Sequence, residues 1–196
     1  MTAFPAKIDY ATGDVLSAAQ MVDVGNLLNL AKTGILLETK SLTSGNTSVF
    51  SAIDQTYKSL RLVVRNCQPN SADRLALILG GGNHSYMATY ATGSAPTVVS
   101  TYASVGAGAA SGLISFGSMR AAAGAHELVI DFPDYADGSA AGIAKFFNHY
   151  LDSFNYEENV DGSVTTDQVA AMTAFTLKWN NGTSTFASGT ALLYGI

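Results

Sequence analysis

Charge is what this sequence has least of. Asp, Glu, Lys and Arg together make up 13% of its 196 residues, about half the share usual in globular domains. The net charge is −5 at pH 7, and Lys and Arg form no cluster anywhere along the chain. A nucleic-acid groove needs concentrated Lys and Arg to neutralise phosphates, so the composition excludes one. Cysteine is nearly missing too. Cys67 stands alone, which excludes an intrachain disulfide and a thiolate metal cluster; within "VVRNCQPN" it reads as a small core residue. No apolar run approaches the roughly eighteen residues that span a bilayer, so no membrane insertion is expected. The opening "MTAFPAKIDYATGD" lacks the basic-then-apolar order of a secretory signal, which leads to the expectation of a protein made in a cytoplasm.

What is present is apolar. Hydrophobic residues make up 47% of the sequence, the opposite of the balance that keeps a chain disordered. The length suffices for one well-filled core. A surface this poor in charge is expected to be covered by other protein, through symmetric self-association or packing into a larger assembly. A neutral surface rich in Ser, Thr, Gly and Asn is the alternative.

Two regimes follow one another along the chain. Residues 1–33 read as a leader: an extended piece, a turn at Gly13-Asp14, then a helix. Ser17 and Gln20 fit a capping box that satisfies orphan backbone N–H groups. Met21, Val24, Leu28 and Ala31 then recur at helical spacing, with Leu27 and Leu30 widening the stripe, on a helix of about 15 residues. Gly34 is the expected left-handed cap. So short a helix is marginal alone in water, so Met21, Val24, Leu27, Leu28 and Ala31 are expected to pack on something: the rest of the chain, copies of themselves, or another protein.

Residues 34–196 change to period two and to β-forming residues. "ILLETKSL", "TSVFSAI" and "YKSLRLVVRN" read as strands, and in the third Leu60, Leu62 and Val64 alternate with Arg61, Val63 and Arg65. Further strands are expected at 74–80, 97–102, 113–119, 126–132, 141–150, 167–179 and 189–194. "GIAKFFNHYLDSF" fits a strand or a short helix. Gly-Gly-Gly at 80–82, Asp137-Gly138, Asp161-Gly162 and Asn181-Gly182 read as turns, and Asn181-Gly182 as a two-residue hairpin. Short strands, frequent turns and 19 glycines predict a mainly β fold, an antiparallel sandwich of jelly-roll type. The last stretch, "FASGTALLYGI", is too apolar for a one-sided surface strand. It reads as a strand covered on both faces, with Leu193, Tyr194 and Ile196 near an axis where copies meet.

Catalytic chemistry is sparse. "LGGGNHS" lacks the Lys-Ser/Thr ending of a phosphate loop and reads as a loop between strands. His84, His126 and His149 sit in separate segments without metal-ligand spacing, so no metal and no cofactor is expected. Asp131, Asp134, Asp137, Glu157, Glu158 and Asp161 read as solvated acidic loops. A carboxylate pair in a cleft would suit glycoside hydrolysis, but nothing commits two of them to one. "DFPDYADG" misses the EF-hand spacing for calcium. Exposed aromatics on loops would stack on sugar rings, although core or interface use of Tyr57, Tyr86, Tyr90, Tyr102, Tyr135, Tyr150 and Trp179 is the simpler reading.

"FPAKIDYATGDVLSAAQMVDVGNLLNLA", "VFSAIDQTYKSLRLVVRN" and "TFASGTALLYGI" together resemble virion structural proteins of tailed bacteriophages. The resemblance covers both ends and one early strand pair; relatives often carry Arg in the closing strand where this chain has Leu193. It implies a non-enzymatic virion protein assembled in the host cytoplasm, a symmetric oligomer and commonly a homotrimer. Residues 1–33 would anchor it to other virion proteins. A tail fibre or tail-associated receptor-binding protein comes first, and a capsid decoration or head-fibre protein second. His84, Tyr86, Tyr90 and Tyr135, on loops 80–90 and 131–142, would then face a host surface glycan. A stand-alone carbohydrate-binding module and a glycan depolymerase are the readings from other classes.

Overall fold

The computed structural model describes residues 34–92, 99–104, 112–121 and 126–196, and the side chains of all of these except 90–92 and 99–104. The expected leader and its helix, with Met21, Val24, Leu27, Leu28 and Ala31, lie outside the described residues. The strands are β1 (Ile35–Ser41), β2 (Thr47–Ser51), β3 (Ser59–Pro69), β4 (Leu75–Leu79), β5 (His84–Thr92) and β6 (Val99–Ser104). They continue as β7 (Gly112–Leu113), β8 (His126–Pro133), β9 (Ala141–Leu151), β10 (Glu157–Val169), β11 (Ala174–Trp179) and β12 (Phe186–Gly195). No helix occurs among the described residues. The fold is mainly β and its sheets are antiparallel. One has the order β1-β12-β3-β8-β9-β10-β5-β6, the other β2-β11-β4-β7.

The open choice at "GIAKFFNHYLDSF" resolves to strand β9. Ala144, Phe146, Asn148 and Tyr150 are buried while Lys145 and Phe147 face out, a period of two that no helix can present. Alternation of the same kind buries Leu60, Leu62 and Val64 of β3, and Leu128, Ile130 and Phe132 of β8. From the smaller sheet come Leu75, Leu77 and Leu79 of β4 and Phe175, Leu177 and Trp179 of β11. The two sets meet in one core, where Phe175 stacks on Phe132 and on Phe50 with ring centroids 4.6 Å apart in each pair.

Strand β12 explains the apolar ending. It lies between β1 and β3, so both of its edges are hydrogen-bonded, and Ile196 extends the pairing by exchanging backbone bonds with Ser59 at 2.8 and 3.0 Å. Within one chain only one of its faces is covered. Ala191, Leu193 and Gly195 face the core, whereas Leu192 and Tyr194 face out half-buried. Leu193 is therefore an internal core residue rather than a contact between copies. Gly195 is required by packing, since a Cβ there would stand 2.5 Å from the Tyr57 ring.

Several turn assignments also need correction. Asp161-Gly162 is not a turn but the middle of β10, where Gly162 lets the backbone of β5 approach: a Cβ would collide with Met87 and Ala88. Asn181-Gly182 does not close a hairpin, because β11 and β12 belong to different sheets. Residues 180–185 carry the chain across instead, with Asn181 Oδ1 accepting the N–H groups of Thr183 and Ser184 at 2.8 Å. The expected strand 113–119 shrinks to β7 plus an isolated bridge at Met119. The expected strand 167–179 divides between the end of β10 and β11.

Candidate functional site

Of the four residues singled out from the sequence as loop contacts, three lie in strand β5 and the fourth is buried. His84 and Tyr86 lie in strand β5. His84 is buried, its Nε2 accepting the Leu79 N–H at 2.8 Å, and burial lowers its pKa. Tyr86 packs inward on Phe116, ring centroids 5.9 Å apart. Tyr135 is buried and donates its hydroxyl to the Asp54 carbonyl. Tyr90 also falls in β5, its side chain outside the described set. Each of the three described side chains is committed to the fold.

Two buried polar clusters were invisible in the sequence. The antiparallel register of β9 and β10 sets Tyr150 opposite Glu158. Glu158 is buried, not part of a solvated acidic loop. Tyr150 donates its hydroxyl to Glu158 Oε2, and that hydroxyl accepts the N–H groups of Phe116 and Gly117 at 3.0 and 3.1 Å. Burial pushes the Tyr150 phenol far up, with the Glu158 carboxylate adding to the effect. The arrangement pins residues 116–117 to the larger sheet.

The second cluster centres on His126. Its Nδ1 accepts the Cys67 N–H at 3.2 Å, which leaves the proton on Nε2, facing Asn148 Oδ1 at 2.9 Å. Asn148 in turn donates to the Ile114 carbonyl at 2.8 Å. Burial lowers the His126 pKa to about 4. The Cys67 thiol, likewise buried, is pushed up and stays protonated, as its reading as a core residue requires. Among the described residues no group of three or more His, Cys, Asp or Glu side chains is placed to hold a metal ion.

The outward-facing candidate is the turn joining β9 to β10. Phe154 is 75% exposed and Tyr156 46%, large rings that ordinary packing would bury. The turn beneath them is tightly held. Buried Asp152 accepts the N–H groups of Phe154 and Tyr156 on one carboxylate oxygen, both at 2.8 Å. Its own N–H reaches the Tyr156 carbonyl at 2.9 Å, and Asn155 donates back to the Asp152 carbonyl at 3.1 Å. Asn155 adopts φ 68°, a left-handed conformation that Asn tolerates better than most residues. Arg120 Nη1 donates to Asn155 Oδ1 at 2.6 Å, and Ser153 N–H to the Ser118 carbonyl at 2.8 Å. The result is a turn with a fixed backbone that carries two exposed rings two residues apart, with Asn155 between them bonded to the Arg120 guanidinium. Stacking on a sugar ring with hydrogen bonds to its hydroxyls is the chemistry it suits. The sequence signal for it is two aromatics inside the polar run "DSFNYEE".

The tip's position in the sheet adds a direction. The body begins at Ile35, paired with Gly195, so the body's two chain ends lie together. The row holding Leu36 runs through Tyr194, Arg61 and Asp131 to Lys145. From Lys145 the strand β9 continues to Leu151, about 20 Å further, before the turn. Phe154 and Tyr156 thus sit at the end of the larger sheet opposite Ile35 and Gly195. No protein-family model matches the sequence, and no curated protein matches it.

Proposed function

We propose that the protein is a non-enzymatic structural protein of a tailed-bacteriophage virion, a tail fibre or tail-associated receptor-binding protein. Its two sheets pack as an antiparallel sandwich of jelly-roll type. Residues 1–33 fasten it to other virion proteins, and the assembled form is a symmetric oligomer built in the host cytoplasm. The observation that carries the reading is the polarity of the body, with Ile35 and Gly195 at one end of the larger sheet and an exposed aromatic pair on a hydrogen-bonded turn at the other. A receptor-binding subunit needs that layout: attachment behind, recognition in front. The sequence resemblance at both ends and the low charge support the same conclusion. The ligand implied is a host surface glycan held by Phe154 and Tyr156, with Arg120 and Asn155 positioned for its hydroxyls.

Adsorption competition tests this. Purified protein added to host cells should lower the rate at which the encoding virus adsorbs. The variant Phe154→Ala with Tyr156→Ala should lose most of that inhibition, because stacking is worth on the order of 1 kcal/mol or more per ring. Both rings are outside the core, so its melting temperature should stay within a few degrees of the parent's. Inhibition that survives the double substitution would move recognition elsewhere. The same pair of rings favours a second reading, a stand-alone carbohydrate-binding module. That protein would bind the glycan equally well and yet be missing from the particle.

A further inference from the structure

The outer face of the eight-stranded sheet carries an ordered pattern. Its middle row is apolar across four adjacent strands: Leu192, Val63, Val129 and Phe147 stand in direct register. Phe147 is 45% exposed; the other three are half-buried. On either side of this row basic and acidic residues alternate. One flank reads Arg61, Asp131, Lys145 and the other Arg65, Glu127, His149, each from β3 through β8 to β9. Positive groups therefore line the β3 side of the β3–β8 boundary and acidic groups the β8 side.

We propose that two copies of this chain pair face to face through this surface, about a two-fold axis running along the strands between β3 and β8. Such an axis exchanges β3 with β8 and β12 with β9. Arg61, which within the chain holds Asp131 through two bonds of 2.6 and 2.9 Å, then also faces Asp131 of the second copy, and Arg65 faces Glu127. In the middle row Val63 meets Val129 and Leu192 meets Phe147, while Tyr194 offers its ring to Lys145. A face with like charges in these positions would repel itself; this one is self-complementary, the requirement of an isologous contact. Aligned strands are one of the two ways in which sheets pack face to face. Six strands and five residues of each outline a plane of roughly 500 Å² per copy. That sits at the low end of specific interfaces, so the dimer should dissociate on dilution. A two-fold pair is not the three-fold assembly that the sequence resemblance implies.

Sedimentation equilibrium on the full chain tests the pairing. The parent should move from one-copy to two-copy mass as its concentration rises. Phe147→Asp should weaken that association at least tenfold with unchanged circular dichroism. The decisive arm uses two charge variants. One carries Arg61→Asp with Arg65→Glu, making the four positions acidic; the other carries Glu127→Arg with Asp131→Arg, making them basic. Each alone should remain a monomer where the parent dimerises, and an equimolar mixture should form a heterodimer that Phe147→Asp in either partner disrupts. A parent that is monomeric throughout leaves the face to residues 1–33 or to another protein and overturns the proposal. A three-copy mass overturns it, as does a dimer that none of these changes disturbs. The virion role is tested on particles and adsorption, so either proposal can fail alone.

Discussion

A chain ending at Thr185 should not fold. Removing 186–196 deletes β12 from between β1 and β3, leaving β1 without its partner and one edge of β3 open. It also removes Phe186, Ala191 and Leu193 from the core. A buried Phe or Leu contributes on the order of 3 kcal/mol, and whole domains are stable by only about 5–15 kcal/mol. The exposed β3 edge would add a template for aggregation. Trp179, the single tryptophan and fully buried beside Phe186 at 5.1 Å between ring centroids, supplies the readout. The truncated chain should show red-shifted emission and no cooperative melt. Leu193→Asp should do nearly the same by burying an unpaired carboxylate. A truncated chain with blue-shifted emission and a sharp thermal transition would show that β12 is dispensable.

Acid should destabilise the body in a defined window. Folded His126 takes up its proton only near pH 4, whereas in the unfolded chain an ordinary histidine does so near pH 6.5. Between those values the unfolded state binds the extra proton, so stability falls as pH falls. Above pH 6.5 the contribution is complete; by pH 4 about 3 kcal/mol of it is gone, and below that it changes no further. His84, lowered in the same direction by burial, adds to the trend. The variant His126→Gln isolates the effect. Denaturant titrations from pH 7 to 5 should give the parent a clear downward slope and the variant a flatter one. Equal slopes would mean that His126 is not held neutral in the fold.

Reading strands from the sequence succeeded where one face is apolar and the other charged. In β3 the alternation of Leu60, Leu62 and Val64 with Arg61 and Arg65 states the answer outright. It failed where strand residues look like loop residues. β10 contains Asp161-Gly162, Ser163, Thr165 and Thr166, a turn-like composition, and Gly162 is there to admit the neighbouring backbone. β5 starts at His84, just after three glycines whose local signal is a turn. Asn181-Gly182 misled because a local turn signal carries no information about which sheet the next strand joins. The Tyr150–Glu158 pair is eight positions apart in sequence, and only the β9–β10 register brings it together. Phe154 and Tyr156 were lost among aromatics that mostly serve the core, since composition alone does not separate a ring turned inward from one turned out.

Locating the protein on the particle tests the central claim most directly. On the proposed reading, purified particles of the phage that would carry the protein can be decorated with a monovalent antibody against residues 34–196 and imaged by electron microscopy. Label should appear on the tail, away from the head and at symmetric positions. Label confined to the capsid would make it a decoration protein, and washed particles that carry none of it would contradict a structural role in the virion.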